Sequence, residues 1–454
     1  MKKLLYLLPL FLGGFFYAQN FKADSTQFKK ISDEILTKGK GYEDLRELTK
    51  NIGNRLSGSA NYEKATQWAM QKLKDAGADK VWLQPVMVDV WTRGTESLKL
   101  KIGNGNWENI KMLSLGNSEG TKGKDLKGNI ILVKSIEDFQ KIPAEVIKDK
   151  IVFFNYPFKQ EFVVTGQAYG DAGKYRRSTA SEVAKKGGKA VIIRSLTSNF
   201  DDVPHTGTLK YEDGIAKIPA IAIGAETADK LEKALLKRQL IEAILNSNCG
   251  MNGQKLTHSV IGEITGNKDN SVIVVGGHLD SWDVGEGAHD DGAGIVQSIE
   301  VLRTFKNLNI KNNHTIRVVC FANEENGLSG GKTYLENVKK SGELHIFALE
   351  SDSGGFTPRG FSVGMNAEKA QSMKSWEKLF NPYGIYEFTG NHGGADITPL
   401  RELNVPVSNF STDSQRYFDI HHTPEDTFEK VNRRELLLGA TVMTQLIYMI
   451  DQNW

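Results

Sequence analysis

Cysteine is nearly absent: Cys249 and Cys320 are the only two in 454 residues, too few for a disulfide scaffold even in a compartment that permits one. Cys320 lies inside the apolar strand pattern Ile316–Phe321 and reads as a small buried hydrophobe, so no Cys249–Cys320 bridge is expected. Excess charge is missing too. The 57 basic and 55 acidic residues leave a net charge of +2, which carries no nucleic-acid footprint. Beyond residue 18 no apolar run approaches the roughly 20 residues of a bilayer crossing, and there is no internal repeat or low-complexity tract. Partners must therefore be argued from a site.

The length sets an expectation of two or three domains with ample material for a core. The chain opens Met1-Lys2-Lys3, continues with the apolar run Leu4–Phe16 and reaches Ala18, the pattern of an export signal cut near Ala18-Gln19. The mature protein is then expected to be exported, free of the membrane, and periplasmic or secreted. Helical spacing follows over Asp24–Lys38 and Tyr42–Thr49, and strand-like runs over Val81–Val90 and Ser97–Ile102. Between about 117 and 246 the texture changes to short β runs, Ile130–Val133, Ile151–Phe154, Ala190–Ile193 and Ile218–Ile223, with helical stretches Ser181–Lys186 and Ala225–Leu236. None of those runs ends in a His or carboxylate cluster. The expected organisation is a leader (1–18), a catalytic domain in two pieces (19–116 and 247–454) and an inserted β-rich domain without catalytic residues (117–246).

Past Gly253 strands and helices alternate, which implies an α/β fold, a mostly parallel sheet flanked by helices. Strands are expected at Ser271–Gly277, Thr315–Phe321, His345–Leu349 and Val405–Phe410, helices at Ile295–Phe305, Gly331–Lys339, Ala367–Phe380 and from Arg434. Each of these strands leads into a polar cluster. The first ends in His278-Leu279-Asp280 and a glycine-rich loop to His289-Asp290-Asp291; the second precedes Asn323-Glu324-Glu325; the third precedes Glu350-Ser351-Asp352; the last is followed by Asp419-Ile420-His421-His422-Thr423. Parallel strands put their C-terminal ends at one edge, so clusters far apart in sequence converge there.

The chemistry of that set is metal chemistry, because imidazole and carboxylate hold zinc at roughly 2.0–2.2 Å. Asp280, two residues past His278 on an extended backbone, can accept the second ring N–H of His278 and fix its tautomer. Of the adjacent Glu324 and Glu325, one can bind metal while the other stays free as a base. Two His and three carboxylates suffice for two ions sharing a carboxylate and a water. His258, His314 and His345 sit at strand starts, away from that edge, and read as surface or satisfied core groups; His392, beside Gly393-Gly394, is a candidate pocket-lining residue.

These segments resemble the two-zinc exopeptidase family of the aminopeptidase and glutamate carboxypeptidase type. The resemblance rests on Gly277-His278-Leu279-Asp280-Ser281-Trp282-Asp283-Val284-Gly285, Asp290-Asp291-Gly292, Asn323-Glu324-Glu325, Glu350-Ser351-Asp352 and His421-His422-Thr423, and extends to Arg55-Leu56-Ser57-Gly58-Ser59, Pro204-His205-Thr206-Gly207 and Gly394-Ala395-Asp396-Ile397. It implies a zinc exopeptidase fold in which region 117–246 is a protease-associated insert, and two zinc ions per chain. One ion is then held by His278 and Asp352, the other by Glu325 and His422, with Asp290 bridging across an Asp290–Asp291 peptide that is cis. It further implies hydrolysis of a peptide substrate by a metal-bridging water with Glu324 as general base, and a homodimer. Unblocked dipeptides are the preferred substrates, with aminopeptidase action on longer peptides as runner-up and a noncatalytic receptor on the same fold as rival. His289 departs from the pattern and is expected at the rim. His421 stands where some relatives carry a Tyr facing the reacting carbonyl, so its imidazole N–H is a candidate oxyanion donor, provided the chain bends between His421 and His422.

Overall fold

A computed structural model describes residues 16–454; residues 1–15, which hold most of the expected leader, lie outside the described residues. Among the described residues no helix is long and apolar enough to cross a membrane. The strands of the described residues assemble into two eight-stranded sheets. The first follows the order Lys80–Thr92, Gly250–Ile264, Thr315–Phe321, Val272–His278, His345–Ser351, Val407–Thr412, Pro358–Phe361, Glu387–Phe388. Its four central strands are mutually parallel, and antiparallel strands flank them.

Every residue of Val272–His278 is buried, as expected of a parallel strand covered on both faces. Ile273 and Val275 face one helical layer with Ile295, Ile299 and Leu446. Val272 and Val274 face the other with Tyr334, Leu335 and Val338. The chain leaves Val272–His278 for Thr315–Phe321 on one side and then returns to His345–Ser351 on the other. That reversal opens a crevice beyond the strand ends, where α/β sheets bind ligands. Helix Ala293–Asn307 starts against this crevice: a Cβ on Gly294 would stand 1.9 Å from the carbonyl of Ser351, so only glycine lets the helix come this close.

The second sheet runs Trp107–Ile110, Glu96–Ile102, Ile241–Ser247, Leu126–Val133, Ile151–Phe154, Ala190–Arg194, Ala220–Ile223, Met112–Ser114. Strand Glu96–Ile102, which lies before the boundary expected at 117, pairs antiparallel with Ile241–Ser247 and so belongs to this second sheet. Local alternation makes a strand but does not choose its partner, and here the partner is far downstream. One helix exceeds its expected bounds, and one strand has no counterpart among the expected elements. Helix Thr165–Lys185 extends well before Ser181, where Gly166, Gly170 and Gly173 weaken the helical signal. Strand Gly250–Ile264, whose first half is largely exposed, forms a long ribbon with Lys80–Thr92. Both cysteines are free and buried.

Candidate metal centre

All eight singled-out side chains or their backbones meet at the crevice. His278 Nε2 lies 3.2 Å from Asp290 Oδ1 and 3.5 Å from Asp352 Oδ1. On the other side His422 Nε2 lies 3.1 Å from Asp290 Oδ2 and 3.2 Å from Glu325 Oε2. Two ligand atoms on one tetrahedral zinc stand about 3.3–3.5 Å apart, given bonds of roughly 2.0–2.2 Å, so both clusters have the spacing of a coordination shell. Asp290 offers one oxygen to each. Its Oδ2 is buried with no hydrogen-bond partner, an arrangement that suits a cation.

Surrounding groups orient these side chains. The Nδ1–H of His278 donates to the backbone carbonyl of Asp280 at 2.9 Å, whereas the Asp280 carboxylate stands 3.8 Å off. The tautomer is fixed as expected, but by the carbonyl; the turn after His278 takes the Asp280 side chain elsewhere. That carboxylate accepts the backbone N–H groups of Glu324 (3.0 Å) and Glu325 (3.4 Å). Asp291 accepts the N–H of His278, and Asp426 accepts those of His289 and Asp290 at 2.8 and 3.1 Å. The Asp290–Asp291 peptide is cis. Buried Arg55 ties the preceding loop by donating to the carbonyls of Leu279, Glu286 and Gly287.

The bend required between His421 and His422 exists: His422 has φ +62°. Positive φ overrides the alternation of extended neighbours, and the two rings stack with centroids 3.5 Å apart. His421 Nε2 thereby comes within 3.4 Å of Asp290 Oδ2. A loop from the second sheet holds this segment. His205 Nδ1–H donates to the carbonyl of His421, Thr206 N–H donates to that of His422, and His422 Nδ1–H donates to that of Thr206 at 3.3 Å, which leaves Nε2 of His422 free to bind a metal.

His289 corrects its expected rim position. It is buried, stacked on Phe356 at 4.2 Å, and accepts the N–H of Gly355 on Nδ1, because the Asp426 cap turns it away from the crevice. His314 and His345 are buried and hydrogen-bonded away from the site. His392 is exposed and lines a cavity of about 670 Å³ that also takes in Asp352 of the metal cluster.

Burial and close-packed carboxylates dominate the electrostatics of the centre. Burial would raise Asp290, but His278 and His422 hold it well below the usual carboxylate range. Glu324 keeps an edge open to the cavity, yet burial, with Asp352, Asp280 and Asp290 nearby, pushes it up to about 8. Burial, with Asp290 beside it, raises Glu325 well above its ordinary value. Packed carboxylates of this kind suit divalent cations, which relieve both desolvation and repulsion. The donor set therefore fits zinc.

Above the cluster opens a cavity of about 600 Å³. Asp290, Glu324, Glu325 and Asp352 line it together with Tyr169 and Arg176 from helix Thr165–Lys185. Sequence reading passed over Arg176, which sits mid-helix with no neighbouring motif. The Pro204-His205-Thr206-Gly207 string was the one local signal that this region reaches the site.

Residues 259–447 match the model of Peptidase family M28. The chain is 34% identical to carboxypeptidase Q of Homo sapiens over 418 residues, spanning 90% of this chain and 85% of that protein. It is 32% identical to the Xenopus laevis protein of the same name, spanning 98% and 96%. Among solved structures, the Peptidase M28 precursor of Shewanella amazonensis SB2B superposes with a TM-score of 0.90 at 32% identity, covering 96% of this chain and 98% of that one. A zinc aminopeptidase of Bacillus subtilis shares the fold, with a TM-score of 0.65 at 22% identity over 90% and 94% of the two chains.

Proposed function

The chain belongs to peptidase family M28 and is a zinc-dependent exopeptidase, and from that premise we propose that it is an exported two-zinc dipeptidase cleaving unblocked dipeptides or short peptides. The observation that carries the reading is Asp290, whose two oxygens face His278 and His422 separately. His278 and Asp352 would hold one ion, Glu325 and His422 the other. When bound, zinc supplies polarisation of the scissile carbonyl and a lowered pKa for water.

The chain's own groups do the rest. Glu324, facing the cavity, takes a proton from the attacking water and returns it to the leaving amine. Asp280 positions Glu324 and Glu325 through their backbones. His421, with Nε2 turned towards Asp290, offers its imidazole N–H to the developing oxyanion. Residues from about 96 to 247 act as a protease-associated unit that braces the His421-His422 loop. Export rests on the Met1-Lys2-Lys3 and Leu4–Phe16 pattern, and the homodimer on family likeness; secretion assays and mass in solution test them.

A second reading, aminopeptidase action on longer peptides, is favoured by the adjoining cavity beyond Asp352. One assay separates the two: zinc-loaded protein is offered a free dipeptide, its N-acetylated form and a pentapeptide. Cleavage of the free dipeptide alone supports the dipeptidase; stepwise loss of N-terminal residues from the pentapeptide supports the aminopeptidase. No cleavage of any substrate overturns both.

A further inference from the structure

Four arginines are buried among the described residues: Arg55, Arg176, Arg303 and Arg317. Arg55 donates to four backbone carbonyls, and Arg303 and Arg317 pair with carboxylates. Arg176 has neither kind of partner among the described residues. Its Nε lacks any hydrogen bond, and its guanidinium rests on the face of Tyr169 at 5.1 Å. A buried cation without a counter-charge is costly, so such a group is retained where something else supplies the charge.

Its position says what that is. Gly207, at φ +129°, separates Arg176 from the metal cluster: a Cβ there would stand 2.3 Å from Nη1 of Arg176 and 2.8 Å from Nδ1 of His422. A side chain at 207 would push the guanidinium away. Arg176 lines the same cavity as Glu324 and Asp352, and so do Arg177 and Lys210. The lining of this one cavity thus holds both acidic, cation-binding groups and basic ones. The ends of a dipeptide carry those complementary charges, and its two residues span about 7 Å when extended.

We propose that Arg176 binds the free α-carboxylate of a short peptide, so that this chain selects substrates by their C-terminal charge as well as by their free amine. The planar guanidinium pairs with a carboxylate through two parallel N–H···O bonds, which a Lys cannot reproduce. The inference rests on the peptidase reading above, with Arg176 as a specificity residue and the chemistry left to Glu324 and the metal ligands.

The test compares leucyl-alanine with leucyl-alaninamide, which share the scissile bond and the free amine. Zinc-loaded wild type is expected to favour the acid over the amide in kcat/KM. Arg176→Gln should lower kcat/KM for the acid about 10- to 100-fold, mostly through KM, as expected for one charge-assisted contact. The amide should stay within about twofold, and Arg176→Lys should fall between. Calorimetric binding of leucyl-alanine to zinc-loaded Glu324→Gln, weakened by adding Arg176→Gln, gives a readout without turnover. Equal loss of kcat on both substrates, as expected if Arg176 acted on the reacting carbonyl, overturns the proposal. So does a wild type that cleaves acid and amide equally, and that result needs no variant to fold and leaves the peptidase reading standing. A wild type that cleaves neither overturns that reading and this inference with it.

Discussion

The backbone N–H of Glu324 donates to Oδ1 of Asp280 at 3.0 Å, and that of Glu325 to Oδ2 at 3.4 Å. One carboxylate therefore sets the position of both adjacent glutamates, which stand in different roles. Its own burial raises its pKa, opposed first by the neighbouring His278 and then by the two N–H groups, which stabilise its charge. Asp280→Asn keeps the shape but turns one acceptor into a donor facing an N–H. It is expected to lower kcat about 10- to 100-fold while leaving bound zinc within the range of the wild type, measured by steady-state kinetics and metal analysis on one preparation.

Glu324→Gln separates proton transfer from metal binding. The amide fills the same space and cannot take a proton, so activity should fall by about 10²–10⁴ with fold and zinc content retained. Glu325→Gln, by contrast, should lose zinc. If the metal losses come out reversed, the two roles are exchanged.

The stacked pair His421 and His422 divides in the same way. His422→Ala should lose zinc, because its Nε2 faces Asp290 and Glu325 at 3.1 and 3.2 Å. His421→Ala should keep zinc and lose about 10²–10³ in kcat, the usual cost of one oxyanion donor. Zinc loss in His421→Ala would make it a ligand; an unchanged kcat would remove it from the mechanism.

Away from the site, His345 predicts a pH dependence. Its Nδ1–H donates to the carbonyl of Glu343 and its Nε2 accepts the Tyr334 hydroxyl, so the buried ring is satisfied only when neutral, and burial lowers its pKa to about 4. The unfolded chain takes up the proton near the ordinary 6.5, the folded chain only near 4. Its contribution is therefore full above pH 6.5 and lost as pH falls towards 4, up to roughly 3 kcal/mol. His345→Gln should flatten the fall in Tm over that interval; an unchanged slope would show that the ring titrates normally.

Much of the centre was legible because parallel-strand topology turns sequence order into position. The apolar runs Val272–Val275, Thr315–Phe321 and His345–Leu349 each carry their polar cluster to the same edge. What escaped depends on contacts that local pattern does not encode. The Asp280 carboxylate turned to the Glu324 backbone because the strand ends at His278. His289 is buried because Asp426 and Phe356, far away in sequence, hold it. The second sheet takes in Glu96–Ile102 because its partner strand lies at Ile241–Ser247. Arg176 gave no signal, since a lone arginine in a helix gains meaning only from the wall it faces.

Zinc counted by plasma mass spectrometry after reconstitution and gel filtration tests the two-metal centre built on Asp290 most directly. Two ions per chain in the wild type, and weakened binding at both places in Asp290→Ala, is the expected result. A wild type that holds one ion or none, or an Asp290→Ala variant that keeps two tightly, would contradict it.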